Sequence, residues 1–305
     1  MKLGVNLINF GPSANPSNLA GWVAHTESAG FHSLLTSDHL VTTPEVHERY
    51  PAPFYEPLTT LGWLAGRTER ITIGATVMVL PYRHPVETAR AFANLDQLSG
   101  GRVILGAGIG WARSEFDALN IEPARRGAMT DEYLDVIRRY WTSDRLSYDG
   151  QFVQLDDIHT APRPHRRPHP PIWIGGSSPA ALRRVVRFGD AWHPINLRSA
   201  WLADKGLPRL NAAAEAEGKP RPALCPRIRF RITESREPDD SRYMGYGTLD
   251  QIRSDLSELE ALGAEHVLLD TYCDDIERSR DVESAWAMLA TVADKAFDLA
   301  AETVR

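Results

Sequence analysis

Only two cysteines, Cys225 and Cys273, occur among the 305 residues, far apart and without any CxxC spacing. That scarcity argues against a disulfide framework or a thiolate metal site and fits a reducing compartment. No window approaches the roughly 20 consecutive apolar residues that a membrane span needs. The opening stretch Met1–Phe10 holds too short an apolar run for a secretory leader. Positive charge is not in excess either. Lys+Arg number 34 against 40 Asp+Glu, a net charge of −6 without long runs, which speaks against nucleic acid or an anionic membrane as partner. An HxH pair, a GxSxG elbow and a GxxxxGK[ST] loop are all missing. Zinc-hydrolase, serine-hydrolase and P-loop chemistry therefore lack their signatures, and no metal is expected. The remainder reads as a cytoplasmic protein, 43% apolar and 24% charged, with enough apolar residues for a sizeable core.

What is present is concentrated between Ile71 and Glu115. An apolar run, Ile71–Val79, passes through Pro81 and Pro85 into a helical pattern that stops at Ser99-Gly100-Gly101; a second run, Val103–Ala107, then opens into a glycine-rich loop. Strand, helix, strand is a βαβ unit whose two strand ends face one way, a natural place for a ligand.

The alternation extends along the chain. Apolar runs occur at Leu3–Ile8, Ser33–Thr36, Ile71–Val79, Val103–Ala107, Pro171–Gly175, Ala191–Ile195, Ile228–Ile232 and His266–Asp270. Helical patterns occur at Pro16–Ala29, Pro57–Arg67, Pro85–Leu98, Asp131–Trp141, Pro179–Arg187, Ala200–Ala216, Leu249–Leu262 and Val282–Ala301. Several start with proline in the first turn or end at glycine, as helix termini favour. Eight of each is the count of a (β/α)8 TIM barrel, an α/β fold, here as a single domain over residues 1–305. A doubly wound open sheet is the alternative. Three kinds of segment interrupt the pattern. His39–Glu56 is too long for a tight turn and reads as part of a lid. Leu146–Asp156 carries Asp149-Gly150 between alternating residues, a hairpin signal. Ala161–Pro171 and Glu234–Tyr246 read as an extended connector and a polar loop.

In a barrel, function sits at the carboxyl ends of the strands, so the residues after each run matter most. Ser37-Asp38-His39 follows the second; His39, a histidine beside a carboxylate, is the acid/base candidate, or else a histidine bonded within the rim. Gly106–Trp111 is not a dinucleotide fingerprint, because Trp111 stands where glycine is needed. Its glycines either let backbone lie against a flat ligand, with Trp111 as a wall, or simply make a tight loop. Gly175-Gly176-Ser177-Ser178 opens a helix at Pro179 and suits a phosphate, or is a plain turn with a serine cap. His165 and His169, around Arg166-Arg167-Pro168, read as surface residues.

At these residues the chain resembles the luciferase-like monooxygenase superfamily. The resemblance rests on Ser37-Asp38-His39-Leu40, Glu56-Pro57-Leu58, Leu95–Arg102, Gly108-Ile109-Gly110-Trp111 with Glu115-Phe116, Pro170–Gly176 and Gly189–Pro194. Within it, the pattern is most similar to the branch using the 5-deazaflavin coenzyme F420. That likeness implies a TIM-type barrel with insertions at its carboxyl face, and a homodimer. It also implies a non-prolyl cis peptide between Thr76 and Val77 behind the cofactor ring, with Ala75 beside it. Asp38 and His39 would face the ring and Gly108, Ile109 and Gly110 its polar edge; Gly175, Gly176, Ser177 and Ser178 would hold the ribityl-phosphate tail.

The sugar-phosphate dehydrogenases of this branch carry a glutamate after the glycine loop, where this chain has Trp111, and no Lys/Arg cluster for a sugar phosphate is evident. An apolar or aromatic substrate beside Trp111, Phe54 and Tyr55 suits the residues better. The expected activity is hydride transfer between F420 and a C=C, C=N or alcohol/ketone group, with His39 moving the proton and Asp38 setting its tautomer or anchoring the ring. The alternatives are an FMN-dependent monooxygenase fed by a partner flavin reductase, and a non-catalytic flavin carrier.

Overall fold

The computed structural model describes residues 1–305. Its first half runs β1 (Lys2–Leu7), α1 (Pro16–Ala29), β2 (Ser33–Thr36), α2 (Pro44–Arg49), α3 (Pro57–Arg67), β3 (Thr72–Ala75), β4 (Met78–Val79), α4 (Pro85–Leu98), β5 (Val103–Gly108), α5 (Arg113–Ala118) and α6 (Arg126–Thr142). An antiparallel hairpin, β6 (Arg145–Asp149) with β7 (Gln154–His159), follows. Next come β8 (Ile172–Gly175), α7 (Pro179–Phe188), β9 (Ala191–His193), the short α8 (Ser199–Trp201) and α9 (Leu207–Ala216). The last part holds β10 (Ala223–Leu224), β11 (Arg227–Arg229), β12 (Arg231–Ile232), β13 (Tyr246–Gly247), α10 (Leu249–Ala261), β14 (His266–Asp270) and α11 (Val282–Lys295).

Local chemistry explains where the helices start. Pro16, Pro57, Pro85 and Pro179 each occupy a first turn, and the residue before each, Asn15, Glu56, His84 and Ser178, accepts a backbone N–H through its side chain. Proline there forfeits no helical bond, because the first-turn N–H groups lack intrahelical acceptors anyway.

The parallel sheet runs in the order β10-β9-β8-β5-β3-β2-β1-β14-β11. Its two ends are one piece of chain. Ala223 and Leu224 pair with β9, while Arg227–Arg229 pair with β14. Between them the Cys225 N–H donates to the Trp192 carbonyl and the Leu268 N–H to the Pro226 carbonyl. The sheet thus closes into eight staves, the barrel the alternation calls for. Its core is a cluster of 61 buried apolar residues reaching from Leu3 to Leu299. No helix is long and apolar enough to cross a membrane.

Several boundaries differ from the sequence reading, among them these four. The seventh stave starts at Ala223, upstream of Ile228, because Pro222 and Pro226 break up its apolar pattern. The run Ile71–Val79 is interrupted after Ala75, at the cis Thr76–Val77 peptide. Helix α6 begins at Arg126, five residues before Asp131; Gly127 in its first turn is a poor helix former and hides that start from the sequence. Helix α11 stops at Lys295 rather than Ala301, and Phe297–Asp298 instead pairs antiparallel with Thr303–Val304. The lid-like segment His39–Glu56 contains α2, and the hairpin and the two loops lie where the sequence puts them.

Candidate active site

A cleft of about 270 Å3 opens at the carboxyl ends of the strands. It is lined by Asp38 and His39 after β2, Thr76 and Val77 between β3 and β4, Gly108–Trp111 after β5, and Gly175 and Gly176 after β8. Tyr50, His193, Ile195 and Arg227 complete it.

Asp38 and His39 lie beyond the end of β2 and both line the cleft, but they have different partners. Both Asp38 oxygens go to Arg83, at 2.8 and 3.0 Å, and Oδ2 also accepts the Val79 N–H at 2.8 Å. Arg83 reaches on to Glu56 at 3.1 Å. Burial raises the Asp38 carboxyl above its ordinary range, and the Arg83 guanidinium pulls against it. The expected contact of Asp38 with the His39 ring is therefore corrected. His39 Nδ1 lies 2.8 Å from Glu115 Oε2, a residue of α5. The same oxygen accepts the Tyr82 hydroxyl at 2.9 Å, and Oε1 accepts the N–H groups of Leu40 and Val41 at 2.5 and 2.9 Å. Burial alone would raise the Glu115 carboxyl; the bonds from His39, Val41 and Tyr82 outweigh it and hold it below the usual range.

Under the cleft runs a second polar chain. The Arg227 guanidinium bonds Asp270 Oδ2 at 2.6 and 3.0 Å and donates to the Thr76 carbonyl at 2.9 Å. The Thr76 hydroxyl lies 2.8 Å from His193 Nε2, whose Nδ1 faces the Cys225 carbonyl. A carbonyl only accepts, so Nδ1 carries the proton and the Thr76 hydroxyl donates to Nε2. Complete burial pushes His193 down to about 4, so it is neutral at physiological pH.

Glycines 106 and 108 answer to the protein itself. A Cβ on Gly106 would lie 1.9 Å from the Ala75 carbonyl oxygen, and one on Gly108 2.5 Å from a Val77 methyl. The bulge at Thr76–Val77 thus packs directly on β5, and that contact explains these two positions without a ligand. Gly110 has φ +77°, so the tight-loop alternative holds there.

The N–H groups of Ile109, Gly110, Gly176 and Ser177 find no acceptor in the protein, which leaves a rim of free donors. Ser178 caps α7, accepting the Ala181 N–H at 3.2 Å, and Ser177 stands exposed beside it. Trp111 is 45% exposed and meets the His39 ring edge-on at 5.7 Å. Phe54 lies one layer back, stacked on Phe10 at 5.2 Å with its edge to His39. Tyr55 and Ala75 do not line the cleft.

A family description, luciferase-like monooxygenase, matches residues 1–285. The chain belongs to that family. Among its relatives is an F420-dependent glucose-6-phosphate dehydrogenase of Microbacterium testaceum, 33% identical over 211 residues, 68% of this chain and 61% of that protein. The chain spans about three fifths of the length of the curated relatives it matches. In solved structures the fold resembles monooxygenase RslO1 from Streptomyces bottropensis, with a TM-score of 0.76 and 21% identity over 96% of this chain and 98% of that one. It also resembles an F420-dependent secondary alcohol dehydrogenase in complex with an F420-acetone adduct, with a TM-score of 0.75 and 18% identity over 93% and 98% of the two chains.

Within this luciferase-like barrel, sequence reasoning missed Glu115, Arg83, Tyr50 and Arg227 as parts of the site. Tyr82-Arg83 and Glu115 were visible beside strand ends, but their partners come from other staves. Tyr50 sits at the end of a short helix inside the lid-like segment, and Arg227 lies in the proline-broken stave.

Proposed function

We propose that this chain is a coenzyme F420-dependent oxidoreductase acting on a small, uncharged, apolar or aromatic substrate. The observation that carries the reading is the juxtaposition of free backbone donors with one histidine whose Nε2 has no protein partner. Ile109 and Gly110 offer N–H groups to the acceptor-rich edge of a flavin-type ring, and Thr76 and Val77 line the cleft beside them. Gly176 and Ser177, ahead of α7, offer N–H groups to a phosphate at a helix N-terminus. The donor set therefore fits the coenzyme. When bound, it supplies a hydride equivalent.

The chain's residues do the rest. Thr76, Val77, Gly108, Ile109 and Gly110 would hold the ring, and Gly175, Gly176, Ser177 and Ser178 the phosphate. His39 moves a proton at Nε2. Asp38, tied to Arg83, fixes the floor of the site rather than moving a proton. Trp111 and Tyr50 wall the substrate side and keep water out, with Phe54 supporting His39 from behind and Tyr55 further off. The relatives named for glucose-6-phosphate do not transfer their substrate. The adjoining groove presents Glu45, Glu48 and Asp274 with a single arginine, Arg49, which Asp274 already pairs at 3.3 Å. A sugar phosphate would meet three carboxylates there, and the field opposes it.

Parallel fluorescence titrations of the apoprotein with F420 and with FMN test the reading. Micromolar binding of F420, with FMN at least tenfold weaker, is the expected result, a difference of about 1.4 kcal/mol. Preference for FMN would replace it with a flavin monooxygenase that needs a reductase partner.

A further inference from the structure

Three donors and one imidazole nitrogen converge on one buried carboxylate. Glu115 is fully buried and takes the N–H groups of Leu40 and Val41 on Oε1, and the Tyr82 hydroxyl and His39 Nδ1 on Oε2. The N–H groups of Leu40 and Val41 and the Tyr82 hydroxyl all donate to the carboxyl group and, against its burial, hold it below its usual range, as the anion. An anion offers no proton, so the hydrogen shared with His39 belongs to the ring. The ring has no freedom to escape this arrangement. Tyr50, Phe54 and Trp111 enclose it at centroid distances of 5.2, 5.4 and 5.7 Å.

We propose that Glu115 is the positioning residue of His39, fixing the imidazole as its Nδ1–H tautomer so that Nε2 is the atom presented to the cleft. The sequence neighbour Asp38 is excluded from the task, since Arg83 and the Val79 N–H occupy both its oxygens. The same carboxylate ties the chain at Leu40 and Val41 to α5, which begins just after Trp111. The proton-carrying ring and the aromatic wall thus share one anchor. The inference rests on the oxidoreductase reading only for the use made of the proton. The tautomer belongs to the protein without coenzyme.

Glutamine at 115 gives a sharp consequence. Its single carbonyl oxygen is drawn to the two backbone N–H groups, which turns the NH2 toward His39 and the Tyr82 oxygen. Nδ1 then meets a donor, and the ring is driven to the Nε2–H form. The experiment is long-range 1H–15N correlation of the histidine rings in 15N-labelled apoprotein at a pH where the ring is neutral. The His39 signals are assigned by their loss in His39→Gln. The expected result is Nδ1–H in the wild type and in Tyr82→Phe, and Nε2–H in Glu115→Gln. With coenzyme and substrate, Glu115→Gln should lose about 10²-fold in turnover while the coenzyme Kd stays within threefold. An Nε2–H ring in the wild type overturns the proposal even if Glu115→Gln fails to fold. An unchanged tautomer in a folded Glu115→Gln overturns it equally. Neither result depends on the F420 titration, so the two readings fail separately.

Discussion

At the amino ends of the strands the barrel opens a cavity of about 880 Å3, bordered by His32, Arg70, Trp173 and His266 among others; the cleft at the carboxyl ends holds about 270 Å3. The larger space has its polar groups in use. Glu27 accepts the N–H groups of Glu69, Arg70 and Ile71, Asp190 accepts that of Ile172, and His266 Nε2 lies 2.8 Å from the Ser33 hydroxyl. The smaller one leaves Ile109, Gly110, Gly176 and Ser177 N–H groups and His39 Nε2 without partners. Donors left free around a cleft are the informative feature, because a bound ligand can take them. Volume alone points to the other mouth.

The widest break in that comparison comes from exchanging a histidine at each end. His39→Ala should cut turnover by the roughly 10²–10⁴-fold typical of an acid/base residue, with the coenzyme Kd nearly intact. His266→Gln, at the far mouth, should leave turnover within about threefold and lower stability instead, since it removes a buried partner of Ser33. Steady-state kinetics and urea unfolding on both variants decide it; equal losses of activity would erase the distinction between the mouths.

Acid should weaken both ends together. His193 under the cleft and His266 at the lower mouth are pushed by burial to about 4 and about 3. Their folded values lie below the ordinary value near 6.5, so the unfolded chain binds protons that the folded chain refuses. Stability from these groups is complete above about pH 6.5 and falls as pH drops toward 4. Two such histidines make the loss about 3 kcal/mol between pH 7 and pH 5. Urea midpoints across that range measure it, and His266→Gln should halve the slope. A flat profile would mean that neither ring is buried neutral, and a halved one that only one is.

The sequence made the frame legible where local signals are strong. Helices α1, α3 and α4 start at prolines and end where the reading puts them, and β2 and β14 match to the residue. The closing stave was displaced because prolines at 222 and 226 interrupt its apolar run. Around the site, adjacency misled. Adjacency suggests Asp38 as the partner of His39, but Arg83 and the Val79 N–H take both Asp38 oxygens, and the partner comes from α5 after another stave. Such contacts are set by how staves line up around the barrel, which no spacing along one strand encodes. The glycines at 106 and 108 were visible, but their cause, the bulge from the adjoining stave, was not.

That bulge yields the next effect in size. Gly106→Ala would place a Cβ 1.9 Å from the Ala75 carbonyl oxygen, a backbone atom that cannot swing away. A loss of about 2–3 kcal/mol in urea unfolding is expected. Gly62→Ala, on α3, meets nothing within 4 Å and should instead gain about 0.5–1 kcal/mol from helix propensity. Similar costs at the two positions would mean that Gly106 is not held by the bulge.

The smallest effects separate two serines at the upper rim. The Ser178 oxygen is committed to the Ala181 N–H at 3.2 Å as the cap of α7, so Ser178→Ala should cost about 1 kcal/mol of stability. Ser177 is exposed and has no hydrogen-bond partner within the protein, so Ser177→Ala should leave the unfolding midpoint unchanged. If this rim seats a phosphate, the lost hydroxyl should weaken coenzyme binding by about tenfold, the worth of one hydrogen bond to a charged group. Coenzyme titration of the two variants side by side gives the answer. A Kd unchanged in both variants would make this turn a plain helix cap and shift the phosphate elsewhere on the rim.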